Sequence, residues 1–511
     1  MDELYKKRLS SYFKKCVSSK FTKQQFEAKK VSFAKKYGLK KIPLTSDVFL
    51  ALGIDKPPEF LITKPGRTQS GVTIVAIMTR PGECPGKCIY CPTWKNAPKS
   101  YTGFEPASLR AKRNNFEARA QIKDRLKQLK STGHPINKIE LIIMGGTFPA
   151  TPKKYQDYFV KSIFQEITDS KDTELDLNKL KKKAMSSKNR IVGITFETRP
   201  DFCDKKTIKR LLDYGGTRVE LGAQIIDDKV LDFVNRGHKV KEIIKATKEL
   251  KDAGFKVLYH VMLGLPGSDY KKDLECFKEI FTNPDFKPDM IKIYPCLVIG
   301  GTKLEKMYYS GEYKALELEK TVKLIADIKE IVPKWVRIMR IQRDIPATKI
   351  IAGIKKSNLR QLVEEELKRR KKECNCIRCK EPKGQLKNTK GYVIKKEEYF
   401  ASSGKEIFLY AEKNKYLLGF IRLRYPNNPY IKQITKKTAI VRELHVYGQT
   451  TAFDEQNIQH RGIGKKLLKE AENLAKKEGY NKIVIISGVG VREYYKKQGY
   501  FLSEPYMIKN I

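Results

Sequence analysis

The chain has 511 residues, 40% hydrophobic and 32% charged, and its 104 Lys and Arg against 58 Asp and Glu give a formal net charge of +46. Such a length predicts two or more domains with substantial cores, and the apolar fraction argues against a disordered or fibrous chain. No run of 18 apolar residues occurs and the chain opens on Met1-Asp2-Glu3 followed by lysines, so neither a spanning helix nor a secretory segment is expected, and the expected location is cytoplasmic.

The positive excess favours polyanionic partners, because Lys and Arg bound along a nucleic acid release its condensed counterions. A lysine-rich composition accounts for part of it, and sign alone does not choose among RNA, DNA and an anionic membrane. Six of the ten cysteines form two tight clusters, Cys84/Cys88/Cys91 and Cys374/Cys376/Cys379, a pattern of metal ligation rather than of disulfides. Cys16, Cys203, Cys276 and Cys296 are scattered and read as free core thiols.

Residues 1–60 are rich in lysine, with Tyr12, Phe13, Phe21, Phe26 and Phe33 at loosely helical spacing. This predicts an amphipathic helical arm, either simply solvated or gripping RNA phosphates with its lysines. A strand-like run, 72–78, then leads into Cys84-Pro85-Gly86-Lys87-Cys88-Ile89-Tyr90-Cys91. Pro and Gly keep this segment a loop, so three thiols converge. Three soft ligands suit an iron–sulfur cluster with one iron left open; a structural zinc knuckle with a distant fourth ligand is the plainer reading.

From about 70 to 345, strand patterns at 72–78, 139–144, 190–197, 217–222, 256–262, 290–294 and 335–341 alternate with helical ones such as 108–129, 205–214 and 239–253. That alternation predicts a parallel α/β sheet, a full or partial barrel, with chemistry at the carboxyl ends of its strands. Gly145 and Gly146 stand at one such end, where backbone can approach a ligand closely. Glu197 and Gln224 stand at others, as polar groups facing a cofactor or substrate or, equally, as turn-capping residues.

Residues 346–395 read as a charged linker whose C-x-C-x2-C, Cys374/Cys376/Cys379, makes a zinc hook. The fourth ligand could be Cys296, a histidine or water. Beyond it, strand patterns at 406–411, 416–424 and 439–447 precede Gln459-His460-Arg461-Gly462-Ile463-Gly464-Lys465, a helical run to Lys477 and a strand at 482–487. Glycines at the mouth of a helix expose N–H groups and the positive dipole end to phosphate.

C-x3-C-x2-C with an aromatic residue before the last cysteine resembles the signature of radical S-adenosylmethionine (SAM) enzymes. Lys64-Pro65-Gly66-Arg67-Thr68-Gln69-Ser70-Gly71-Val72 before it and Ser100-Tyr101-Thr102-Gly103-Phe104-Glu105-Pro106 after it resemble the catalytic subunits of Elongator, a family of tRNA wobble-uridine modifying enzymes. This resemblance runs from about residue 15 to the C-terminus. The segment from Gln459 with Val491–Tyr500 resembles GNAT acetyltransferases. The resemblance implies a radical SAM partial or full α/β barrel followed by a GNAT acetyltransferase-like α/β domain. The divisions expected are 1–60, a basic tRNA-binding arm; 61–345, the radical SAM domain; 346–395, the zinc linker; and 396–511, the GNAT-like domain.

It further implies a [4Fe-4S] cluster on Cys84, Cys88 and Cys91 with SAM on the open iron. Gly145 and Gly146 would grip the cofactor's amino group, with Gln224 nearby, although this chain has Thr147 where that family group often has Glu. Gln459, Arg461, Gly462, Ile463, Gly464 and Lys465 would hold the pyrophosphate of acetyl-CoA, with Tyr494 and Tyr495 near its thioester. Lys380-Glu381-Pro382-Lys383-Gly384 departs from the family's linker sequence. The implied activity is formation of 5-carboxymethyluridine at the wobble position of tRNA from acetyl-CoA, with the anticodon stem-loop, an electron donor and accessory subunits or self-association as partners, and no membrane. The alternative is a protein-lysine acetyltransferase with a structural iron–sulfur domain, for which Glu443 would be the general base; otherwise Glu443, His445 and His460 read as structural. A third reading, an RNA-binding module with degenerate sites, sits poorly with intact cysteines and glycines.

Overall fold

A computed structural model describes residues 2–17, 21–54, 58, 61–62, 66, 68, 70–82, 84–172, 174–383, 385–386, 390–448 and 462–511. Of the residues singled out above, Lys64, Pro65, Arg67, Gln69, Gly384, Gln459, His460 and Arg461 lie outside the described residues.

The alternation of apolar runs and amphipathic stretches folds as a parallel sheet. Its strands are β1 (Thr73–Met78), β2 (Lys138–Met144), β3 (Arg190–Thr198), β4 (Arg218–Gln224), β5 (Lys256–Leu263), β6 (Met290–Pro295) and β8 (Arg337–Ile341), in that spatial order. A short β7 (Val298–Ile299) instead pairs with β9 (Ile350–Ala352). β1 and β8 are the sheet's two edges, so the barrel is partial and open on one side. Strand periodicity of two sorts the faces. Val75, Ile77, Leu141, Ile143, Phe196, Val219, Val257 and Ile291 are fully buried in a core shared with the covering helices. The other face of the same strands carries Glu140, Thr195, Glu197, Arg218, Glu220, His260 and Lys292, with Thr195 opposite Arg218, Glu197 opposite Glu220 and His260 opposite Lys292.

One expected helix, 108–129, is two, Pro106–Arg113 and Ala118–Ser131. The break falls where Asn114 turns its amide onto the Arg110 carbonyl (2.8 Å) and Asn115 and Phe116 take left-handed backbone, the local competition that keeps Asn out of helix interiors. The N-terminal arm is three helices, Glu3–Phe13, Lys23–Lys36 and Thr45–Leu52, with a small core of its own from Leu9, Phe13, Phe26, Phe33, Val48 and Phe49. Its aromatics are therefore packing residues, and its lysines, apart from the buried Lys30, lie toward the outer faces.

Within residues 346–395, one helix packs on the first domain. Leu359, Val363 and Leu367 share one face of the helix Leu359–Arg369 and are buried against the helix Leu318–Ile331. The surrounding charge had hidden that stripe. Likewise β10 (Val393–Ala401) was not expected, because Lys395 to Glu398 interrupt its alternation.

The second sheet contains β10, β11 (Gly404–Lys413), β12 (Tyr416–Tyr425), β13 (Thr438–Val446), β14 (Lys482–Ile486), β15 (Phe501–Ser503) and β16 (Tyr506–Asn510), ordered β10-β11-β12-β13-β14-β16-β15. Only β13–β14 is parallel, bridged by the helix Ile463–Lys477. This domain docks on the amino-terminal end of the first sheet through a buried charge network. Arg442 makes a bidentate pair with Asp289, just before β6 (2.6 and 2.7 Å), and also meets Glu406 (2.7 Å); Arg424 pairs with Asp252, just before β5 (2.6 Å). Burial alone would raise the Asp289 carboxyl, but Arg442, Lys251 and Arg422 outweigh it and hold it far below the usual range. Breaking one partner of such a set strands the others in a dry interior, so removing any one of them is costly. No helix among the described residues is long and apolar enough to cross a membrane.

Candidate functional site

The loop after β1 is stitched onto two neighbouring connections: Ile89 N–H donates to the Val234 carbonyl (3.1 Å) and Ile89 accepts from Leu304 N–H (3.0 Å). Cys91 N–H donates to the Cys88 carbonyl (3.1 Å), which makes a turn between the two cysteines. Two guanidinium groups stand over them. Arg236 donates to Cys88 Sγ (3.5 Å) and to the Gly222 carbonyl (2.7 Å), and its Nε donates to His238 Nε2 (3.0 Å). Burial and Arg236 push His238 down to about 4, so it is neutral and free to accept. Arg199 is clamped by Asp201 (2.9 Å), but its buried Nη1 has no hydrogen-bond partner among the described residues and lies against Gly86, where any side chain would overlap it. Burial, then the charge of Cys88, pushes the Cys91 thiol up to about 11. Three thiols on one loop, with the Arg236 guanidinium on Cys88 and the buried Arg199 Nη1 against Gly86, fit an anionic metal–sulfur group.

At the end of β2, Gly145 and Gly146 take left-handed φ of 135° and 86°; Gly145 is pressed on Thr79, and a Cβ on Gly146 would sit 3.3 Å from the Lys99 carbonyl. The turn they make carries Thr147 to within 3.9 Å of Cys84 Sγ. Gln224 ends β4 at φ 70°, an unfavourable setting for a side chain that has a Cβ, and its amide lies close over Gly222. Glu197 is buried and accepts from Tyr101 Oη (2.8 Å). Cys84, Cys88, Gly145, Gly146, Thr147 and Gln224 thus share the carboxyl-end rim.

Sequence reasoning missed two parts of this site. Arg236 lies 148 positions from Cys88, and nothing local to Arg236 announces the contact. The buried Glu220, ion-paired with Lys292 and hydrogen-bonded to His260 (2.8 Å), did leave a signal, since polar and charged residues recur on one face of otherwise apolar strands. Burial alone would raise the Glu220 carboxyl; Lys292, His260 and Arg218 outweigh it and keep it ionised.

The second site opens at the other end of the barrel. Gly462, at φ 82°, caps the helix Ile463–Lys477, whose first residue Ile463 is buried. Only 3.2 Å separates the Tyr494 hydroxyl from the position a Cβ on Gly464 would take. Tyr495 is buried in the second domain's own core, ring to ring with Tyr494 and Tyr500. Burial raises both phenols, so both keep their protons near neutrality. A cavity of about 1250 Å³ joins the two domains here: Gly462, Gly464, Lys465 and Tyr494 face Glu140, Arg218 and Arg337 across it. Glu443 also lines it but accepts from Arg422 (2.9 Å). Burial would raise that carboxyl, yet Arg422, Lys256 and His445 hold it below its ordinary range, which makes it a poor general base. His445 is tied to the Ser70 carbonyl (2.9 Å).

The Sγ atoms of Cys374, Cys376 and Cys379 lie within 4.8 Å of one another. Hydrogen bonds from Cys374 and Cys379 hold the Cys376 thiol well below its ordinary range. Cys374 and, more weakly, the Lys329 charge draw the Cys379 thiol down, but Cys376 and burial outweigh them and leave it raised; three sulfur donors this close fit a thiophilic cation. Among the described residues no fourth ligand joins them; Cys296 is instead bonded to Tyr313.

Comparison with known proteins matches residues 79–279 to the Radical SAM superfamily, 288–369 to the Radical_SAM C-terminal domain and 376–500 to the Acetyltransferase (GNAT) family. A tRNA uridine(34) acetyltransferase of Methanocaldococcus jannaschii is 50% identical over 465 residues, 87% of this chain and 86% of that one. Elongator complex protein 3 of Saccharomyces cerevisiae is 39% identical over 507 residues, 94% and 90% of the respective chains. The solved structure of an archaeal Elp3 from Methanocaldococcus infernus, lacking its N-terminal residues 1–46, superimposes with a TM-score of 0.78 at 45% identity, covering 87% of this chain and all of that one.

Proposed function

The chain belongs to the family of the tRNA uridine(34) acetyltransferases and Elongator complex protein 3, and on that premise we propose that it modifies the wobble uridine of tRNA, building 5-carboxymethyluridine from acetyl-CoA by radical SAM chemistry. The observation that carries this reading is the shared cavity, which runs from the GNAT helix mouth into the amino end of the partial barrel. A two-carbon unit activated in one domain would then meet a base held by the other without crossing solvent.

Cys84, Cys88 and Cys91 would hold a [4Fe-4S] cluster, and Gly145, Gly146 and Gln224 the bound SAM. When loaded, that rim supplies hydrogen-atom abstraction from an unactivated methyl group. Arg236 and Arg199 neutralise the thiolates and fix the loop. At the other end, the N–H groups around Gly462, Ile463, Gly464 and Lys465 suit a pyrophosphate. Tyr494, beside Gly464, would hold its proton toward the thioester and hand it to the departing thiolate; Tyr495 packs beneath it. The lysine-faced N-terminal helices would grip the anticodon stem-loop. Mass spectrometry of wobble nucleosides, from cells with and without this protein, tests the assignment; an unchanged wobble position overturns it.

Two outcomes follow from charge and ligation. With ~5 phosphate contacts, the log–log dependence of tRNA affinity on salt should have a slope on the order of −4; a flat response would reduce the +46 charge to composition. Cys374, Cys376 and Cys379 would bind zinc, with water or a histidine as fourth ligand. Metal analysis should find about one zinc per chain, lost in Cys376→Ser; unchanged zinc in that variant returns these residues to free thiols.

A further inference from the structure

Beyond Cys91, the chain leaves two aromatic side chains, Trp94 and Phe104, partly in solvent. Trp94 is 37% and Phe104 38% exposed, and their rings meet edge to face with centroids 5.8 Å apart. The Lys349 ammonium lies 4.0 Å from the Phe104 centroid and 5.9 Å from that of Trp94. The loop that presents them is built, not slack. Tyr101 is buried beneath it on Glu197, Thr102 N–H is held by Glu105 (2.9 Å), Lys99 donates to Thr93 (2.6 Å), and Arg343 donates to the Ser100 carbonyl. Leaving over a third of each residue in water on an anchored loop gains nothing for folding. Aromatic faces beside lysines are what a splayed nucleobase and its phosphate require: the base stacks and the ammonium neutralises.

We propose that Trp94 and Phe104, with Lys349, form a stacking platform for an unpaired RNA base adjacent to the nucleotide being modified. The assignment rests on the tRNA reading above and adds to it the residues that hold the neighbour while the target enters the barrel. A basic peptide is a poor occupant, because Lys349, Lys95 and Lys99 would repel it.

The chain has only two tryptophans, and the other, Trp335, is stacked on Tyr399 at 4.1 Å. In a Trp335→Phe protein, emission therefore reports on Trp94 alone. Titration with an anticodon stem-loop RNA should quench that emission. The same hairpin with an abasic residue beside the target uridine should still bind, yet leave the emission almost unchanged. In the otherwise native chain, Trp94→Ala or Phe104→Ala should weaken hairpin binding on the order of 10-fold or more, with cleavage of SAM in the absence of RNA unchanged. Trp94→Tyr should restore most of the affinity. If the protein modifies tRNA while Trp94 emission stays constant on hairpin binding, the platform falls and the tRNA reading stands. If the protein neither binds nor modifies tRNA, both fall.

Discussion

Cys88→Ala is expected to reduce SAM cleavage and the modified wobble nucleoside to background, and to remove the electron paramagnetic signal of the reduced cluster. One cluster iron would lose its ligand. The fold should survive. Cys88 is only half-buried, and the loop's anchors are the backbone hydrogen bonds of Ile89. Circular dichroism and thermal unfolding should therefore stay close to those of the unaltered protein. The variant also leaves Arg236 without its sulfur partner, but that guanidinium keeps the Gly222 carbonyl and His238. SAM cleavage at the normal rate would mean that these cysteines serve another purpose.

Acetyl-CoA hydrolysis should be slow in the protein alone and clearly stimulated by tRNA. Docked RNA would close over the open side of the barrel and complete a site that otherwise wastes cofactor. Tyr494→Phe should lower the stimulated rate by roughly 10²–10⁴, the usual worth of one positioned acid, while tRNA affinity stays the same, because the phenol faces the inter-domain cavity. Tyr495→Phe should move stability more than rate, since that ring is a core residue. The Tyr494 phenol titrates above its ordinary value, so the stimulated rate should be flat through neutral pH and fall only once that proton is lost in base. Lysine peptides should be poor acceptors, given that Glu443 is tied up by Arg422. Efficient peptide acetylation with no effect of tRNA would promote the protein acetyltransferase instead.

Much of this was legible in the sequence because it is local. A strand followed by Pro, Gly and three cysteines specifies a ligand loop, glycines before an amphipathic run specify a helix mouth, and strand–helix alternation specifies a parallel sheet. Those are properties of ten to twenty neighbouring residues, and backbone sterics and periodicity enforce them almost without context. Where charge overlaid an apolar stripe, as in Leu359/Val363/Leu367 or β10, even the local pattern was hidden. Which side chains meet was decided only by the tertiary structure. Arg236 on Cys88, Arg199 on Gly86, Tyr101 on Glu197 and Arg442 on Asp289 are joined across many tens of residues. Tyr494 and Tyr495 both border the cavity, and only the packing tells them apart: adjacent helical residues point about 100° apart, so Tyr495 runs into the second domain's core while Tyr494 stands beside Gly464. Local sterics set each segment's shape, whereas the cost of burying an unpaired charge or leaving a void is set by what arrives from elsewhere in the chain. So the ligand loop and helix mouth belong to the sequence, and their joining through one cavity belongs to the fold.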